Sequence, residues 1–158
     1  MTPDEFTERY REHQPAVARF MARRVESSDI DDLTADVFAI AWSKRSAVTE
    51  GEELPWLYRI AGFVVSNHRR KRLSALAVLS RLGPSDPAPS AESIALADTE
   101  LSEAWRQLSI RDREIIALTA LDGLGVAEAA GSIGISANAA SIRLHRAKTK
   151  LAALLAKD

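Results

Sequence analysis

The 158-residue chain has no cysteine, which excludes disulfides, thiolate nucleophiles and cysteine-bound zinc together. Aromatic residues supply only 6% of it and long β-branched runs are missing, so the abundant strong helix formers point to an all-α protein. No apolar run approaches the roughly 20 residues needed to span a bilayer. The N-terminus, MTPDEFTERY, is polar and acidic rather than signal-like, and the chain reads as soluble and cytoplasmic. His13, His68 and His145 stand far apart, no HExxH occurs, and GLGVAEAAG lacks both a preceding strand and GxGxxG spacing. No catalytic residue, metal site or cofactor is expected.

The net charge of −1 conceals a strong segregation. Residues 1–40 hold nine carboxylates against five arginines, whereas Arg69, Arg70, Lys71 and Arg72 form one cationic run and Arg143, Arg146, Lys148 and Lys150 another. Electrostatic potential decays over roughly 8 Å at physiological salt, so a polyanion responds to these local patches and not to the sum.

Val126 to Leu151, VAEAAGSIGISANAASIRLHRAKTKL, has the grammar of two helices joined by a tight turn. Ala130 suits a close helix approach, Gly134 a turn with positive φ, and Ser136 an N-cap. Ala140, Leu144, Ala147, Leu151 and Leu154 then recur at spacings of four, three, four and three, giving one packing stripe. Arg143, His145, Arg146, Lys148 and Lys150 flank it, with no acid between Ser136 and Ala156. A solvated surface helix shares the scattered cations, but turn, cap and charge together describe a helix-turn-helix DNA reader.

The stretch SRLGPSDPAPSAES carries three of the six prolines and suits neither helix nor strand, so a flexible linker is expected there. Before it, Phe6, Tyr10, Val17, Phe20, Met21 and Val25 provide the apolar set of one helix or of a pair bent at Pro15. Asp29 is positioned to cap a second helix, DDLTADVFAIAWSKR, with Leu33, Val37, Ile40 and Ala41 inward and Asp31, Asp32 and Asp36 outward. Those acids either serve the helix dipole or form a docking surface for a basic protein. After a break centred on Gly51, Pro55 opens a third helix that buries Trp56, Leu57, Ile60, Ala61 and Val64 and ends in Asn67 and the cations. A cationic last turn complements its own helix dipole, and Asn with Arg and Lys also suits base edges and phosphates.

In order and spacing, DDLTADVFAIAW, PWLYRIA followed by NHRRKR, LSIRDREIIALTALDGLGVAEAA and SANAASIRLHRAKTKL resemble a bacterial sigma factor of the extracytoplasmic-function (ECF) class, within the sigma-70 family. The resemblance implies two small helical domains: sigma domain 2 over 1–76, a flexible linker over 77–97, and sigma domain 4 over 98–158. It implies core RNA polymerase as partner, through the β′ clamp helices and the β flap, together with promoter DNA; class membership adds an anti-sigma factor, and no membrane insertion. Asp32, Asp36 and Phe38 match the clamp-docking helix, where the family often has Gln at the position of Ala35. The 45–53 loop and the helix from Pro55 to Arg72 match the minus-10 reader, with Asn67, His68, Arg70 and Lys71 as contacts and Phe63 where many relatives have Asn.

Ser136 to Lys150 matches the minus-35 helix. Asn138, Ser141, His145 and Arg146 are then the base-edge readers, Arg143 and Lys148 the phosphate or packing residues, and Ser136 the residue at the helix start. Many relatives carry Thr-Val at Ala139 and Ala140 and a cation at Ser141. Supporting helices are expected at Asp98–Leu108 and Arg111–Leu121, with Trp105, Leu108, Ile115, Ile116 and Leu118 as core. Two other classes fit parts of the pattern: a self-standing regulator of the LuxR type with a sensing or dimerising N-terminal half, and a helical adaptor that uses its acidic face.

Overall fold

Thr2 opens the first helix, α1 (Pro3–Tyr10), through a reciprocal cap in which the Glu5 amide donates to Thr2 Oγ1 and the Thr2 amide donates to Glu5 Oε2. The computed structural model describes residues 1–76, 88–90 and 99–156, and these are helical or irregular, with no strand among them. Two compact units divide the chain, Met1–Pro87 and Ala88–Asp158.

In the first unit a 3₁₀ turn, Arg11–His13, separates α1 from α2 (Gln14–Ala22), so the apolar set belongs to a pair of helices, with Pro15 in the first turn of the second. Phe6, Tyr10, Val17, Phe20 and Met21 are buried as the spacing requires. Val25 is half-buried, and Arg24 is buried at 2% exposure instead. The reason is that α2 stops at Ala22 and the turn redirects the side chains. The Arg24 guanidinium then lies 3.5 Å above the Phe20 ring and donates to the Phe20 carbonyl.

The next helix, α3 (Ile30–Ser43), buries Leu33, Thr34, Val37 and Ala41, while Ile40 is half-buried. Asp29 occupies its N-cap position without making a side-chain cap bond. A short 3₁₀ turn at Arg45–Ala47 and Gly51 at φ +88° lead to α4 (Glu53–Leu76), where Leu57, Tyr58, Ile60, Ala61, Val64 and Val65 are buried. α2, α3 and α4 pack on one another, and Tyr58 stacks on Phe20 at 5.0 Å.

The second unit begins within the expected linker. Most of that segment lies outside the described residues, but Ala88 and Pro89 are buried and Trp105 Nε1 donates to the Pro89 carbonyl at 2.9 Å, so these residues are packed rather than free. Trp105 belongs to α5 (Thr99–Gln107), and Ser109 then caps α6 (Ile110–Ile116) through the Asp112 amide. α6 runs into a π turn, Ala117–Leu121, closed by the Asp122 amide on the Ala117 carbonyl at 2.9 Å. Trp105, Leu108, Ile115, Ile116 and Leu118 form the expected core.

α7 (Val126–Ile133) ends at Gly134, which adopts φ 74° and ψ 33°. The Gly134 and Ile135 amides both bond to the Ala130 carbonyl, a left-handed helix stop that turns the chain tightly. Ser136 then caps α8 (Ala137–Leu155), its oxygen accepting from the Ala139 amide at 3.1 Å. α8 packs on α5, α6 and α7 through Ala140, Leu144 and Ala147, with Leu151 and Leu154 half-buried.

Candidate polymerase and nucleic-acid interfaces

With Leu33, Val37 and Ala41 facing the core, α3 turns Asp31, Asp32 and Asp36 to solvent. Asp31 and Asp32 stand in the first turn, where the macrodipole favours carboxylates. Asp36 lies beyond it, one turn from Asp32 on the same face, so helix stabilisation does not account for the stripe. Phe38 is half-buried and lines a cleft of about 430 Å³ with Phe6, Tyr10, Arg11, Asp31 and Ala35. Thr34 Oγ1 and Tyr10 Oη are buried around it without a hydrogen-bond partner among the described residues. Burial and the neighbouring Glu53 carboxylate push the Tyr10 phenol above its ordinary range.

The cationic end of α4 is less uniform than its sequence. Asn67 is half-buried, and Arg70 and Lys71 are exposed. His68 Nε2 sits 3.3 Å from Asp29 Oδ2, at ion-pair distance but without hydrogen-bond alignment, which engages this expected DNA contact inside the unit. Arg69 turns inward and donates to the Arg24 carbonyl at 2.6 Å, and Arg72 pairs with Glu26 at 3.0 Å. The loop before α4 is tied down as well: Arg45 stacks 3.8 Å over the Trp42 ring, and Arg9 of α1 reaches both Glu50 and Glu53 at 3.5 Å.

On α8 the buried stripe forces the opposite face outward. Ser136, Asn138, Ser141, His145, Arg146 and Lys148 are exposed together. Arg143 is half-buried and, with Arg146, lines a cleft of about 410 Å³ against Ser109, Arg111 and Asp112 near the start of α6. Ile142 was not among the expected contacts, yet it is 45% exposed in the middle of this face. Its signal in the sequence was an apolar residue out of step with the packing stripe.

Among the described residues no group of three potential metal ligands comes together, and no helix is long and apolar enough to cross a membrane.

The family model for Sigma-70 region 2 matches residues 9–74, and that for Sigma-70, region 4 matches residues 98–151. The chain belongs to the sigma-70 family. RNA polymerase sigma factor NccH of Alcaligenes xylosoxydans xylosoxydans is 34% identical over 140 residues, 83% of this chain and 75% of the relative. ECF RNA polymerase sigma factor SigF of Caulobacter vibrioides is 31% identical over 139 residues, 84% of this chain and 75% of the relative. The structure of CnrH in complex with the cytosolic domain of CnrY aligns with a TM-score of 0.66 at 26% identity, covering 98% of this chain and 89% of that one. The protein is thus an ECF sigma factor, acting in transcription initiation with core RNA polymerase and promoter DNA as partners. The LuxR-type alternative falls away, because the half it treats as a sensor matches region 2.

Proposed function

We propose that three faces of the chain divide the work of promoter opening. The acidic stripe Asp32 and Asp36, with Phe38 at the edge of the α1–α3 cleft, docks on the basic clamp helices of polymerase β′, and the second unit rests on the β flap. The outward face of α4 and its preceding loop take the minus-10 element through Asn67, Arg70 and Lys71; His68, turned against Asp29, acts by positioning α4. The outward face of α8 enters the major groove over the minus-35 element. There Asn138, Ser141, His145 and Arg146 meet base edges, Ile142 meets a thymine methyl, and Arg143 and Lys148 neutralise phosphates while Ser136 holds the helix start.

No chemical step is required of this protein, which is not an enzyme: captured bases offset unpairing and unstacking, a few kcal/mol per base, and polymerase supplies catalysis. It works in the cytoplasm, without cofactor or metal. An anti-sigma factor would hold it inactive by covering the α3 docking face. The residues 77–97, anchored on the second unit where Pro89 accepts from Trp105, serve as a tether that lets the 1–76 and 98–158 domains reach separate elements, raising the effective concentration of each.

The observation that carries this reading is the α8 face, where six polar or cationic candidates are exposed on one capped helix with no acid among them. Run-off transcription with core polymerase over a promoter pool tests it. The chain should confer selective initiation, Asp32→Lys with Asp36→Lys should abolish it by loss of core binding, and Arg146→Ala should weaken it by roughly the 1–3 kcal/mol of a base contact. Initiation indifferent to the double charge reversal removes α3 from the docking role.

A further inference from the structure

Resting on the assignment of α4 to the minus-10 element and α8 to the minus-35 element, we propose that Ala88–Ser90 and Trp105 form a latch, closed in the free chain, that opens when one chain holds both elements. Ala88 is 1% exposed and Pro89 is fully buried, although both stand between the two family-matched segments. Trp105 Nε1 donates to the Pro89 carbonyl at 2.9 Å, and Ala88 and Ser90 are engaged as well. The chain is thus fastened to the second unit well ahead of α5.

That fastening point limits how far the two DNA faces can part. By their names the elements lie about 25 base pairs apart, roughly 85 Å of duplex at about 34–36 Å per turn. Bending this duplex smoothly by about 90° shortens the straight-line distance by only about a tenth. From Asn67 to the end of α4 at Leu76 is about 14 Å of helix. From Leu76 to Ala88 the backbone spans at most about 40 Å, whatever its conformation. A compact unit the size of the second is about 27 Å across. Laid end to end these lengths reach about 80 Å, and only with a taut chain and every part in line. With the latch open, the backbone from Leu76 to Thr99 spans up to about 80 Å by itself, so both elements come within reach of a slack chain.

The contacts suit a fastening that gives way. Ala88, Pro89 and Ser90 bring little apolar surface, and the indole N–H and the Pro89 carbonyl can each bond to water once parted. Trp105 itself stays in α5, which packs on α8, so undoing the latch leaves the recognition helix supported. While the latch is closed, a chain bound to one element gains no affinity from its second DNA face, because the intramolecular contact lies out of range.

The test uses the full chain assembled with core polymerase on a promoter recovered from the run-off pool, beside a control template whose minus-35 element is scrambled. The chain has no cysteine, so Ala88→Cys places a single thiol on it for alkylation. That thiol should react slowly in the free chain and at least about tenfold faster in the promoter complex, as a locally released segment does; equal protection in both overturns the latch. Trp105→Phe deletes the fastening donor and should bind the two-element promoter more tightly, by up to the roughly tenfold that one net hydrogen bond represents, with the scrambled control unchanged. A merely structural role has the opposite sign, weaker binding. About ten glycine and serine residues inserted between Arg81 and Leu82 lengthen the reach without touching the second unit, and should also tighten two-element binding. The same insertion between Ser93 and Ile94, behind the latch, should not. Two insertions that behave alike, or a Trp105→Phe chain that binds the two-element promoter no better than wild type, overturn the proposal. Absence of selective initiation by the wild type would instead remove the two-element assignment beneath it.

Discussion

Gly134 offers the sharpest test of how the recognition helix is set. At φ 74° and ψ 33° it occupies the left-handed region, and the amides of Gly134 and Ile135 converge on the Ala130 carbonyl. A Cβ in this conformation costs about 1–2 kcal/mol, offset in part by the lower unfolded-state entropy of alanine, about 0.4–1 kcal/mol. Gly134→Ala should therefore destabilise the second unit by about 1 kcal/mol, and Gly134→Asn by clearly less, since asparagine tolerates the left-handed region. With Trp42 and Trp56 replaced by Phe, buried Trp105 becomes the sole tryptophan and reports this unit in urea titrations. For a unit of this size the shift in midpoint temperature is roughly 5 °C. If the unit starts near 5 kcal/mol, only about 0.1% is unfolded at 25 °C after the change, so minus-35-dependent output should persist there and fail at a lower temperature than in wild type. An alanine variant as stable as wild type, or an asparagine variant damaged equally, would refute the assignment of the helix stop to a left-handed glycine.

Neighbouring arginines of α4 should behave differently. Arg69→Ala removes the bond to the Arg24 carbonyl and should cost about 1–2 kcal/mol in chemical denaturation, whereas Arg70→Ala, at an exposed position, should stay within about 0.5 kcal/mol while weakening promoter binding and lowering its salt slope by about one. The reverse pattern would mean that the inward and outward members of the run have been exchanged. Trp105→Phe deletes the donor to the Pro89 carbonyl and should destabilise by about 1 kcal/mol while exposing Ala88–Ser90 to protease; unchanged cleavage would show that other contacts hold the segment. The amide and hydroxyl of Thr2 hold the Glu5 carboxyl below its ordinary range. A depressed carboxylate stabilises above its unfolded value and loses that contribution as pH falls through the lowered one, so amide protection in α1 should drop on acidification. Glu5→Gln should flatten that profile, and a flat wild-type profile would count against the cap.

What was legible in the sequence is what depends on near neighbours. The turn at Gly134, the cap at Ser136 and the stripe Ala140, Leu144 and Ala147 are each set by residues within one or two turns, and the structure has them as read. The core residues Trp105, Leu108, Ile115, Ile116 and Leu118, implied by the family resemblance, are buried as well. What failed to show was long-range. Arg69 meets a carbonyl 45 residues away, so nothing in RRKR distinguishes the inward cation from the outward ones. Asp29, expected as a cap, is next to His68, whose partner no local pattern could supply. Val25 continued the apolar spacing of a helix that had already ended at Ala22, which is why buried Arg24 was overlooked. Ile142 was missed because a reading built on packing stripes has no place for an apolar residue facing water, and Phe63 entered only as a departure from the family pattern.

The partition of charge explains why two units are needed. α8 exposes Arg146, Lys148 and Lys150 and keeps Arg143 half-buried, so this face alone neutralises only a few phosphates. With a salt slope near −0.9 per phosphate contact, so small a set gives weak binding to duplex at physiological ionic strength. α4 is no stronger, because Arg69 and Arg72 are engaged within their own unit. Neither face suffices to select a promoter, and the carboxylates of α3 further lower the affinity of the first unit for a polyanion. If α3 docks as proposed on a basic polymerase surface, the balance changes twice over. Docking neutralises Asp32 and Asp36, and it holds both weak DNA faces on one body, where the second contact becomes intramolecular and its effective concentration rises into the millimolar range. In the proposed docking mode the acids that oppose DNA binding by the free chain are the same groups that recruit the polymerase, which would tie promoter recognition to the assembled holoenzyme.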